Sequence, residues 1–190
     1  AGTSGLTWVI DPIDGTRSFI AGLPTWGVLI ALDDGHATRL GIVDQPYIGE
    51  RFGARLGPSG DEAWLARGGA RRALRVRPCA TLGAAVLLST APGMFAPPEF
   101  EGFSAVSRRC RLTRYGTDCY GYAMVAAGHA DLVIEAGLEA YDIAAPGALV
   151  RAAGGIVTDW QGGDCRWGGR AIAAGDPRVH AEALEVLSRI

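Results

Sequence analysis

Two carboxylates three positions apart, Asp11 and Asp14, stand in the stretch TWVIDPIDGTRSFI at residues 7 to 20, where an apolar run gives way to a Gly-Thr turn. Acids at that spacing can converge on one divalent cation, and the backbone carbonyl of Ile13 between them is a third oxygen of the hard kind that Mg²⁺ accepts. The plainer use of the same pair is to cap a turn. Trp8, Val9 and Ile10 predict a buried strand, because short β-branched and aromatic runs bounded by turn formers are strand-like. Pro12 cannot continue a sheet ladder, Asp14 is a helix N-cap type, and Gly15-Thr16 opens a short helix whose free N–H groups suit a phosphate.

The whole string DPIDGT, followed by Phe19, resembles the metal-binding signature of the inositol monophosphatase family of Mg²⁺-dependent, Li⁺-sensitive phosphatases. A second segment, YDIAAPGALVRAAGG from residue 141, resembles the family's aromatic-Asp-x-x-Ala helix ending in AGG, with Tyr141 where Trp is usual. The resemblance implies two or three Mg²⁺ ions, with Mn²⁺ as a substitute, held by Asp11, the Ile13 carbonyl, Asp14 and Asp142. Two ions about 4 Å apart would run a two-metal displacement at phosphorus, one acidifying a water and the other steadying the leaving alkoxide. It further implies catalytic roles for Asp14 and for Thr16, whose hydroxyl orients the water. The N–H groups of Gly15 and Thr16 hold phosphate oxygens, and Arg17 either contacts phosphate or is solvated.

Within the family, RSF after DGT, PTWG at 24 to 27, GTDCYGYAMVAAGHADLVIEAG at 116 to 137 and GDPRVHAEAL at 175 to 184 resemble the histidinol-phosphate phosphatase branch. That branch implies hydrolysis of histidinol phosphate to histidinol and phosphate, a step of histidine biosynthesis. The substrate carries an ammonium and an imidazole, and both favour a carboxylate partner. The resemblance puts Asp118 and Glu135 at the leaving-group pocket, with Gly116, Thr117 and Asp142 completing the substrate-binding set. Each acid also has a structural use, Asp118 as the cap of a helix and Glu135 as a hydrogen-bonded buried acid. Inositol phosphates and other small sugar or nucleotide phosphates are alternative substrates of the same class. A non-catalytic remnant, serving as a dimerisation or metal-binding module, is the alternative of another class. The family implies a homodimer.

Composition bounds these readings. At 190 residues and 48% hydrophobic the chain can bury a core, and a net charge of −2 gives no footprint for nucleic acid. No apolar run reaches the roughly 18 residues of a membrane span, so a cytoplasmic protein that works without a membrane is the default expectation. Cys79, Cys110, Cys119 and Cys165 have neither CxxC spacing nor paired His, which argues for free thiols. All 18 basic residues are Arg. The absence of Lys removes a Walker-A, a Schiff-base and a kinase-type lysine together, so phosphate chemistry must rest on metal, backbone amides and Arg. His36, His129 and His180 are scattered and are assigned no catalysis.

The elements that must position these groups fall into two lobes. Residues 1–82 predict an antiparallel sheet: strands at 25 to 32 and 36 to 44 flank the Asp33-Asp34-Gly35 turn, a third runs from 48 to 54, and others cover 61 to 67 and 73 to 77. Residues 83–190 alternate strands and helices, with helices expected at 99 to 107, from Asp118 to 128, from near Asp142 to 153, and at 177 to 190. Pro146 fits only if it falls in a helix's first turn. The fold class is therefore layered α/β, and the resemblance makes it the αβαβα sugar-phosphatase type without its N-terminal helices. Family members also supply metal-binding and water-activating acids from upstream helices and a Glu-rich segment, whereas AGTSGLTWVI before Asp11 holds no acid. The expectation is a fragment of a longer enzyme, the other account being a natural truncation with a weakened first metal site.

Overall fold

The computed structural model describes residues 4–190, so the first three residues of the N-terminal lobe lie outside it. Six strands, β1 (Thr7–Asp14), β2 (Gly27–Asp33), β3 (Thr38–Gln45), β4 (Glu50–Arg55), β5 (Glu62–Arg67) and β6 (Ala70–Ala73), form an antiparallel meander in which each pairs with the next. The β2–β3 turn closes because Asp33 accepts from the Gly35 N–H and Asp34 from those of His36 and Ala37, with Gly35 at φ 85°. A second, mixed sheet holds β7 (Val86–Ser89), β8 (Leu112–Tyr115), β9 (Leu132–Glu139), β10 (Ile156–Thr158) and β11 (Gly168–Ala174) in the order β10-β11-β9-β7-β8. The helices are α1 (Thr16–Ile20), α2 (Pro97–Ser107), α3 (Asp118–Ala126), α4 (Ala140–Ala152) and α5 (Pro177–Leu187).

α4 is buried at every position from Ile143 to Val150, as an all-apolar helix must be. It touches β1 to β5 on one side and β9 to β11 on the other. One apolar cluster therefore runs from Leu29, Val43 and Phe52 of the first sheet through Ile143 and Leu149 to Val133 and Ala173 of the second. α2 and α5 cover the far face of the second sheet, where Phe103 and Val179 join Leu132 and Ile172 in a separate cluster. The resulting layers are sheet, helices, sheet, helices, an α/β stack in the order the sequence implies.

Four expectations change in detail. Trp8 and Ile10 are 61% and 54% exposed rather than buried, because strand alternation sends them to the sheet face turned away from α4 while Val9 faces the core. Pro12 does not end the ladder: β1 bulges past it, the register passing from Asp11↔Leu29 to Asp14↔Gly27, so its missing N–H is never needed. α4 begins at Ala140 rather than near Asp142, and Pro146 sits inside it rather than in the first turn. The strand expected at 73 to 77 is β6, displaced to Ala70–Ala73.

The close approach of α4 to the first sheet depends on Gly41. A Cβ there would lie 2.7 Å from the Ala145 carbonyl oxygen and 3.1 Å from the Ala148 Cβ. Gly41→Ala is expected to cost about 1–3 kcal/mol by overpacking, lowering the thermal midpoint by roughly 2–4 °C for each kcal/mol. Differential scanning calorimetry reads this directly, and an unchanged midpoint would contradict the tight α4–sheet contact.

Candidate metal and phosphate site

Two elements converge at one end of the first sheet. The bulged end of β1 carries Asp11 and Asp14, and the first turn of α4 carries Asp142. Their ligand oxygens all lie within 4.8 Å of one another. A backbone N–H orients each carboxylate: Ile13 N–H donates to Asp11 Oδ1 (2.9 Å), Cys119 N–H to Asp14 Oδ2 (2.8 Å) and Glu139 N–H to Asp142 Oδ2 (2.7 Å). Each bond occupies one oxygen and leaves the other for a cation. The Thr16 hydroxyl donates to the Ile13 carbonyl at 3.0 Å, so its hydrogen is spent and its oxygen is left to accept from a water. The Ile13 carbonyl keeps its second lone pair.

Electrostatics shows what the trio lacks. Many of the chain's other carboxylates have arginine partners, as Asp131 has Arg77 and Asp33 has Arg166, but among the described residues none of the three acids has one. Burial raises the Asp14 carboxyl to about 6, with the charges of Asp118 and Asp142 adding to it, in spite of hydrogen bonds from Cys119. Asp142 is raised as well, first by burial and then by Asp11 and Glu139. Three crowded carboxylates, with a carbonyl beside them and no side-chain cation to offset them, are a donor set of hard oxygens that fits a divalent ion of the Mg²⁺ or Mn²⁺ class.

Two adjoining cavities open on the trio. One of about 510 Å³ is walled by Asp11, Ile13, Asp14, Gly15, Thr16 and Asp142, with Tyr141 as its aromatic side. The other, about 290 Å³, shares Asp14 and Asp142 with it and is walled further by Arg17, Asp118 and Glu135. Gly116 and Thr117 are not among these walls. The Gly116 N–H donates to the Thr90 carbonyl, and the Thr117 hydroxyl donates to that of Ser89. Asp118 is not the cap of α3; Thr117 is, and Asp118 is the first helical residue, at φ 44°. Its carboxyl stands against Gly15, where a Cβ would meet it at 3.1 Å. Nor does Asp14 cap α1, whose N-cap is Gly15 in the left-handed region.

Glu135 is 2% exposed and takes three donors: the Thr90 N–H and hydroxyl on one oxygen and the Tyr122 hydroxyl on the other. Burial pushes its carboxyl up to about 7 against those bonds. Sequence reasoning missed Thr90, Tyr122 and Cys119 as parts of this cleft. Tyr122 lies one helical turn after Asp118, a spacing that could have flagged it, whereas Thr90 reaches Glu135 only through the pairing of β7 with β9. A larger cavity of about 640 Å³ lies by the β2–β3 turn at the sheet's other end, but its Arg39, Arg151 and Arg166 are paired with Asp34, Asp164 and Asp33, and Asp61 lines it as well, so they leave no net positive charge.

Comparison with known proteins agrees with this geometry. The model of the inositol monophosphatase family matches residues 1–189. The chain is 39% identical to the chloroplastic bifunctional phosphatase IMPL2 of Arabidopsis thaliana over 95% of its own length and 53% of that protein, and so spans about half of it. It is 36% identical to a histidinol-phosphatase of Streptomyces coelicolor, over 100% of this chain and 72% of that one. The solved structure of an inositol monophosphatase from Zymomonas mobilis superposes with a TM-score of 0.88 at 38% identity, covering 98% of this chain and 72% of that chain.

Raised acid pKa values mean that the folded, metal-free protein holds protons which the unfolded chain has released. The groups are half-ionised at pH 3.8 and 4.5 when unfolded but at about 6 and about 7 when folded. Stability contributed by Asp14 and Glu135 is therefore full below pH 4 and lost as pH rises to about 7. Thermal unfolding in a chelator should show this fall, Asp14→Asn should flatten it, and added Mg²⁺ should restore stability most at the alkaline end.

Proposed function

Because the chain belongs to the inositol monophosphatase family, we propose that the protein carrying it is a Mg²⁺-dependent phosphomonoesterase acting on histidinol phosphate. The observation that carries the reading is the convergence of Asp11, Asp14 and Asp142 beside the Gly15-Thr16 turn, with Asp118 held against the same glycine. Asp11, the Ile13 carbonyl, Asp14 and Asp142 hold the metal. Bound there, it supplies Lewis-acid polarisation of the phosphoester and acidification of a water. Thr16 Oγ1, its own hydrogen committed to Ile13, accepts a hydrogen from the attacking water and aims its oxygen at phosphorus. The Gly15 and Thr16 N–H groups face the phosphate oxygens, and Arg17 at the rim adds positive charge. Asp118 receives the ammonium of the leaving alcohol, while Glu135, fixed by Thr90 and Tyr122, closes the pocket floor.

The substrate assignment rests on Asp118, an acid at the leaving-group side, where an ammonium gains an ion pair as well as a hydrogen bond and a neutral polyol gains a hydrogen bond only. Inositol phosphate is the second reading, favoured by the likeness to the Zymomonas mobilis enzyme. Phosphate release from a panel decides between them. kcat/KM for histidinol phosphate should exceed that for inositol 1-phosphate by about two orders of magnitude, and an equal or reversed preference would overturn the assignment. Asp118→Asn should cut kcat/KM for histidinol phosphate roughly 10- to 100-fold, the worth of one hydrogen bond to a charged group. Titration calorimetry with Mg²⁺ should show binding that Asp14→Asn abolishes; no binding by the unaltered chain would favour a non-catalytic module.

A further inference from the structure

Ser18 is out of place for its surroundings. It lies on the short α1 between Arg17 and Phe19, both exposed, yet it is 6% exposed and is the buried residue of that helix. Its Oγ donates to Asp118 Oδ2 at 2.8 Å, across 100 positions of chain. The Thr25 hydroxyl in turn donates to Ser18 Oγ at 3.0 Å. A hydroxyl has one hydrogen to give, so the order is fixed: Thr25 to Ser18, Ser18 to Asp118. A carboxylate at the end of the row, which only accepts, sets that direction.

The acceptor is itself held under strain. Asp118 is the non-glycine residue with positive φ among the described residues, a conformation that costs on the order of 1 kcal/mol and persists where its surroundings impose it. That backbone turns the carboxyl over Gly15 and into the cleft, and the Ser18 bond takes Oδ2, leaving Oδ1 for a ligand.

We propose that Ser18 and Thr25 form a two-hydroxyl relay that fixes the carboxylate of Asp118 as the recognition group for an ammonium-bearing leaving alcohol, and so sets the preference for cationic over neutral phosphomonoesters. The proposal rests on the reading that Asp118 meets the leaving group, and it adds two positioning residues that do not touch the substrate. Ser18 holds the carboxylate in one rotamer, and Thr25 holds Ser18.

The test is steady-state kinetics of the Mg²⁺-loaded protein on histidinol phosphate and on glycerol 2-phosphate, whose alcohol is neutral. Ser18→Ala should raise KM for histidinol phosphate about tenfold with kcat held within about threefold, as expected for one lost hydrogen bond to a charged group. KM for glycerol 2-phosphate should shift by less than twofold. Thr25→Val should give a smaller effect of the same kind, and Thr25→Ser, which keeps the hydroxyl, should behave as the unaltered protein. Should Ser18→Ala not fold, Thr25→Val carries the test one bond further out. Equal losses on both substrates, or no change in KM for histidinol phosphate, would overturn the relay. If the unaltered protein shows no preference for the cationic substrate, the reading of Asp118 falls first, and the relay with it.

Discussion

Three carboxylates within 4.8 Å of one another repel, and among the described residues no side chain forms an ion pair with them. At 4 Å a like-charged pair costs about 1 kcal/mol in water and about 4 at the effective dielectric of a protein surface. The fold holds the acids there all the same, by attaching each to a rigid neighbour through a backbone N–H and by burying the helix that carries the third. Placement of this kind suits an outside cation, because stability forgone in the absence of an ion returns as binding energy in its presence.

The architecture serves that placement. Asp11 and Asp14 are local to each other, so a bulge in one strand can bring them together; Asp142 is more than a hundred residues away and arrives only because α4 is clamped between two sheets. Gly41 on one side and the small residues of α4 itself allow the approach. The second sheet adds the acid that closes the pocket floor, since Glu135 on β9 reaches the cleft beside Thr90 from the loop after β7. Both sheets thus converge on a single cleft although their strands run in different senses.

Much of this was legible in the sequence where the information is local. DPIDGT pointed to the family because six consecutive residues carry both the acids and the turn that presents them. The hairpin at Asp33-Asp34-Gly35 was equally plain, since Asp and Gly there have few other uses. Less was legible where the answer depends on a partner. Trp8 and Ile10 read as buried because an apolar run does not say which of its two faces will be covered. Asp118 read as a cap because nothing local signals a positive φ at an aspartate, and Ser18 and Thr25, although they lie in the RSF and PTWG strings, gave no sign of their link to it, their partner lying on a distant helix. The start of α4 was misplaced by two residues because Asp142 is an N3 acid of a capping arrangement with Glu139, not the N-cap.

Pro146 bears on how that helix behaves. An uninterrupted helix would bond the N–H of position 146 to the carbonyl of Asp142, and proline has no such hydrogen. One rung of the ladder is therefore missing immediately beneath the third acid, while the remainder of the helix stays locked in the core. Proline at this position thus withholds a helical donor from the Asp142 carbonyl, on the same residue whose carboxyl faces the cleft.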